Sequence, residues 1–74
     1  MNHETRGDRA AAVDSSLGSV GEYWGNSHVI RWYEKKEAYF LLTVEPQGEL
    51  APVPTVGPIK DRTTAVNIFL DFEE

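Results

Sequence analysis

His28-Val29-Ile30-Arg31-Trp32-Tyr33-Glu34-Lys35-Lys36-Glu37-Ala38-Tyr39-Phe40-Leu41-Leu42-Thr43-Val44-Glu45 is the stretch that decides the fold. His28 to Glu34 and Ala38 to Glu45 are strand-length segments rich in β-branched and aromatic residues, and the charged link Lys35-Lys36-Glu37 separates them. The pattern predicts a β-hairpin. Its register depends on the loop, because a slip of one residue turns every side chain to the opposite face. A three-residue loop sets Ile30 and Trp32 beside Phe40 and Leu42 on one face and leaves Arg31, Tyr33, Tyr39 and Thr43 on the other. A two- or four-residue loop pairs Trp32 with Tyr39 instead. The first is preferred, since it makes one face distinctly apolar and the other amphipathic, as a sheet covered on one side should be.

Downstream, Pro46-Gln47-Gly48-Glu49 is a turn: proline presets its own φ and Gly48 can take the positive φ such turns demand. Leu50 to Ile59 holds Pro52, Pro54 and Pro58, which cannot donate to a ladder, so an irregular edge strand is expected there. Two periodicities compete in Asp61 to Glu74. Ala65, Ile68, Phe69 and Phe72 match helical spacing, whereas Val66, Ile68, Leu70 and Phe72 match strand alternation. Asp61 as an N-cap, Pro58 upstream and the segment's length favour a helix, which would also lay Phe69 and Phe72 on the hairpin. The acidic ending, Asp71, Glu73 and Glu74, reads as solvated carboxylates and opposes a helix dipole.

Upstream, residues 1–24 are rich in Ala, Ser, Gly and Asp and are expected as a mobile or weakly helical arm. Val13, Leu17, Val20 and Trp24 recur at helical spacing, but Gly18, Gly21, Ser15 and Ser16 weaken a helix, so a short frayed one over Asp8 to Leu17 is the expectation. Gly25-Asn26-Ser27 is a turn signal, and the folded module is expected to span residues 25–74. The fold class is therefore α+β: a small antiparallel sheet of hairpin and proline-containing edge strand, packed by a C-terminal helix and preceded by the arm.

Composition narrows function by exclusion. A chain of 74 residues buries only about 60% of its unfolded surface, so its core is marginal unless a partner adds to it. With no cysteine, zinc ribbons, iron–sulfur clusters and thiol catalysis are ruled out, and a reducing cytoplasm is the expected compartment. The longest apolar run, Ala38 to Leu42, is far short of the roughly 18 residues that cross a bilayer, and no export signal is expected in Met1 to Arg9. The net charge of −5 opposes general affinity for nucleic-acid backbones and suits solubility.

No catalytic, cofactor-binding or metal site is expected. The two histidines, His3 and His28, lie in no recognisable motif, and no phosphate-binding glycine loop occurs. Glu34, Glu37, Glu45 and Glu49 cluster at the hairpin ends but read as solvated turn charges. The candidate site is an outer hairpin face of Arg31, Tyr33, Tyr39 and Leu41, since Tyr and Arg are enriched in interface hot spots. The arm could fold Tyr23 and Trp24 over that face, or a protein partner or a second copy could cover it. The leading expectation is a small non-enzymatic protein-binding module, an accessory, regulator or inhibitor. The alternative is single-stranded nucleic-acid binding, because Arg31, Lys35 and Lys36 interleave with Trp32, Tyr33 and Tyr39.

Overall fold

The computed structural model describes residues 5–74. Residues 1–4 of the expected arm, His3 among them, lie outside the described residues. The chain runs α1 (Arg6–Ser19), β1 (Glu22–Trp24), β2 (His28–Tyr33), β3 (Ala38–Val44), β4 (Leu50–Pro52) and α2 (Arg62–Glu73). The strands form one antiparallel meander in the order β1-β2-β3-β4. The fold is α+β, with both helices packed on the same side of the sheet.

Each helix starts where its cap chemistry dictates. Thr5 caps α1 through a reciprocal box with Asp8: the Asp8 N–H donates to the Thr5 hydroxyl at 3.0 Å, and the Asp8 carboxylate accepts from the Thr5 N–H. Gly21, at φ 81°, ends the helix by donating to the Ser16 carbonyl at 3.1 Å. Asp61 caps α2 as expected, accepting from the Thr64 N–H at 2.8 Å. The helices run antiparallel. Arg6 at the start of α1 pairs with Asp71, at 3.0 Å, and with Glu74 at the end of α2, while Arg62 at the start of α2 reaches Asp14 at 2.9 Å. Arg6 also donates to the Asn67 carbonyl at 3.2 Å, so α1 supplies the cation that the acidic end of α2 lacks.

Residues 6–24, expected as an arm outside the folded module, carry α1 and β1. Val13 and Leu17 are buried in the main core with Ile30, Tyr39, Leu41, Ile59, Ala65, Val66, Phe69 and Leu70. Gly18, Ser15 and Ser16 did not fray the helix because its buried stripe packs on α2 and β1, and tertiary packing outweighs propensity. Val20 lies past the helix end and is exposed, and Trp24 belongs to β1, so only half of the expected spacing is a helical face.

The edge strand β4 is short and carries Pro52. Val53 still donates to Leu41, at 3.1 Å; residues 54–58 then leave the ladder, and Ile59 rejoins it by exchanging both hydrogen bonds with Tyr39, at 2.7 and 2.9 Å. Pro54 and Pro58 lie in the excursion, where a missing N–H costs no ladder bond. Phe69 is buried and meets Tyr23 edge-on, centroids 5.6 Å apart. Phe72 docks only partly: it is 40% exposed and leans edge-on toward His28.

Candidate interaction surface

The β2–β3 loop has four residues, Glu34 to Glu37: a single 3-10 turn closed by Glu37 in the left-handed region at φ 50°. One residue more than expected shifts the register. Trp32 pairs with Tyr39, Ile30 with Leu41, Arg31 with Phe40 and Tyr33 with Ala38. Ile30, Trp32, Tyr39 and Leu41 therefore face the helices, with Tyr23 joining from β1. The opposite face carries Glu22, Trp24, Val29, Arg31, Tyr33, Ala38, Phe40, Leu42, Val44, Leu50 and Pro52.

The four expected partner-contact residues are thereby split. Arg31 and Tyr33 lie on the face away from the helices, whereas Tyr39 and Leu41 are buried in the core and are unavailable to a partner. The preferred loop length is corrected for the same reason. The aromatic residues of the hairpin are also divided, with Trp32 and Tyr39 packed together on the helix side at 4.8 Å and Tyr33 beside Phe40 on the other at 5.3 Å.

Among the described residues, no helix packs on this second face. It is nonetheless apolar. Trp24, Val29, Leu42 and Pro52 fall in one row across all four strands. Val29 and Leu42, in the middle, are buried by their neighbours; Trp24 at the β1 end is 50% exposed, and Pro52 at the β4 end is exposed. Tyr33, Lys36, Phe40, Leu42 and Pro52 enclose a shallow cleft of about 190 Å³. In the neighbouring row Arg31 donates to Glu22 at 2.7 Å, and the Trp24 indole N–H donates to the other Glu22 oxygen at 3.1 Å, which fixes the indole's position. That indole bond lowers the Glu22 carboxyl most; burial raises it, Arg31 lowers it again, and the net value lies below the ordinary glutamate range. Trp24, Phe40 and Pro52 were absent from the expected site. In β3 both alternations are apolar over most of their length, with Tyr39 and Leu41 on one side and Ala38, Phe40, Leu42 and Val44 on the other, and that was the signal of a second apolar face.

A second concavity, about 290 Å³, lies between the helices and the β1–β2 turn and is lined in part by Arg9, Tyr23, Asn26 and Glu73. Glu73 is not the solvated carboxylate expected of it. Its side chain is 4% exposed and accepts from the Asn26 N–H at 2.7 Å, from the Ser27 N–H at 2.9 Å and meets His28 Nδ1 at 2.9 Å. Burial pushes the Glu73 carboxyl up, but the two backbone N–H groups and His28 together outweigh it and hold it below the ordinary value. A carboxylate so engaged clamps the turn rather than takes up protons at neutral pH. Glu34, Glu37, Glu45 and Glu49 are exposed, as expected, with Glu34 accepting from the Trp32 indole at 2.8 Å. Among the described residues, no three acidic or histidine side chains converge as metal ligands.

Comparison with known proteins found no matching family model, no matching curated protein and no matching solved structure.

Proposed function

We propose that the protein is a small non-enzymatic module, an accessory, regulator or inhibitor, that binds another protein through the sheet face away from its helices. The observation that carries this is the apolar row Trp24–Val29–Leu42–Pro52 with a half-exposed tryptophan at one end and a cleft at the other. Large aromatic side chains beside desolvated pockets are the usual anchors of protein interfaces. Strand addition at an edge is poorly supported. β1 has three residues and its Glu22 carbonyl already accepts from the Ser16 hydroxyl at 2.6 Å, while β4 carries proline. The register also favours protein over single-stranded nucleic acid, because Trp32, Tyr33 and Tyr39 do not share a surface for stacked bases. The absence of cysteine fits work in the reducing cytoplasm, and no helix of the described residues is long and apolar enough to cross a membrane.

Two variants test the face. Trp24→Arg and Tyr33→Ala should each lose polypeptides captured by the immobilised wild-type chain, with unchanged circular dichroism, while Ser15→Lys on exposed α1 surface keeps them. Equal capture by both face variants would remove this face from the function.

A further inference from the structure

We propose that the occupant of the helix-free face is a second copy of this chain, stacked face to face about a two-fold axis parallel to the strands and lying between β2 and β3. The inference rests on reading that face as a protein interface, and it follows from the register. Rotation about such an axis keeps each residue's height along the strands and exchanges β1 with β4 and β2 with β3. Trp24 shares its row with Leu42 and Pro52, so the indole of each copy arrives at the cleft that Phe40, Leu42 and Pro52 form on the other. The hole opens from that row toward the next, where Phe40 lies, and the indole leans the same way, toward Glu22, so knob and hole meet from opposite ends of one face. That is the self-complementarity a two-fold interface requires.

The rest of the face agrees. Arg31 of one copy meets Phe40 of the other in the next row, a guanidinium over an aromatic ring, while Val29 and Leu42, already buried within each chain, form the floor beneath the contact. Lys36 at the cleft rim offers a second cation to the incoming indole. On the face itself Glu22 and Arg31 neutralise each other, so the chain's charge of −5 is carried elsewhere and acts as a salt-screened repulsion between copies. Arg6, Asp71, Glu73 and Glu74 lie on or beside the helices, on the other side of the sheet. Two inner strands of six and seven residues between two three-residue edges, about 4.8 Å apart, give a small footprint, in the size class of weak, transient association. One face holds one occupant, so capture of any other protein by this face competes with the dimer.

Sedimentation equilibrium from 1 µM to 1 mM, in roughly decade steps, is the direct test, with isotope-filtered NOEs on a mixed labelled and unlabelled sample. The expected result is a mass rising to twice that of the chain, intermolecular NOEs from the Trp24 indole to Leu42 and Pro52, and at least tenfold weaker association in Trp24→Arg and in Pro52→Arg at unchanged circular dichroism. A wild-type chain that stays monomeric at 1 mM, or a dimer that both variants leave intact, overturns the proposal. A monomer whose capture of other polypeptides still depends on Trp24 would overturn self-pairing and leave the protein-binding reading standing. A Trp24-dependent dimer with capture indifferent to Trp24 would do the reverse.

Discussion

At the scale of single residues, Glu73 joins the last turn of α2 to the first turn of the sheet, and its effect on stability has a definite sign. Its carboxyl is held below the ordinary glutamate value in the folded chain. The stabilisation it provides is therefore complete above the unfolded value, about 4.3, and is lost as pH falls through the lower folded value. Glu73→Gln should destabilise the chain by about 1–2 kcal/mol at neutral pH, because two backbone N–H groups lose a charged acceptor. Urea midpoints of the two proteins should converge as pH drops from 6 to 3, and a gap that stays constant would show that charge is not what Glu73 contributes. Gly25 is tied to the same clamp. A Cβ there would lie 2.6 Å from the Glu73 carboxyl carbon and 2.7 Å from the Phe69 ring. Gly25→Ala is expected to cost about 1–3 kcal/mol by overpacking, read as a lowered thermal midpoint, since the Phe69 ring is part of the core and cannot swing away.

At the scale of elements, α1 is where packing overruled local sequence. Val13 and Leu17 are both buried, so Leu17→Ala should cost about 2–3 kcal/mol in urea unfolding, whereas a loose arm would show no change. Amides from Arg9 to Ser19, which donate within α1, should accordingly exchange with the slow class of the sheet. The glycines and serines of this segment were legible; the partners of its apolar stripe, on α2 and β1, were not, because they lie far away in sequence. α2 was legible from Asp61 and the helical spacing, and the hairpin from its composition. Register was not. Hydrophobic pattern pins a register only when one face is polar, and here Val29, Phe40 and Leu42 on one side compete with Ile30, Trp32, Tyr39 and Leu41 on the other. The four-residue loop was decided by Glu37 entering the left-handed region, a conformation that glutamate does not advertise. Half of the candidate site followed from that error: Arg31 and Tyr33 remain on the open face, and Tyr39 and Leu41 belong to the core.

At the scale of the whole molecule, the ambiguous register and the open apolar face have one cause. A sheet that is apolar on both sides but packed by helices on one side has been left with a side to fill, and in a chain of 74 residues the missing layer adds materially to a small core. Filling that side with a second copy makes stability depend on concentration, because a ligand that binds only the folded state adds stability that grows with the logarithm of its excess over Kd. Raising the protein from 10 to 1,000 times Kd deepens the folded state by about 1–3 kcal/mol per chain. For a domain this small that is a rise of roughly 5–15 °C in the thermal midpoint. Scanning calorimetry at two protein concentrations a hundredfold apart should show that rise for the wild type. Trp24→Arg should melt at the same temperature at both concentrations, and at a temperature close to that of dilute wild type, since Trp24 is half exposed and contributes little to the isolated fold. A midpoint that moves equally with concentration in both proteins would place the association on another surface, and the helix-free face would then be an apolar surface without a second layer.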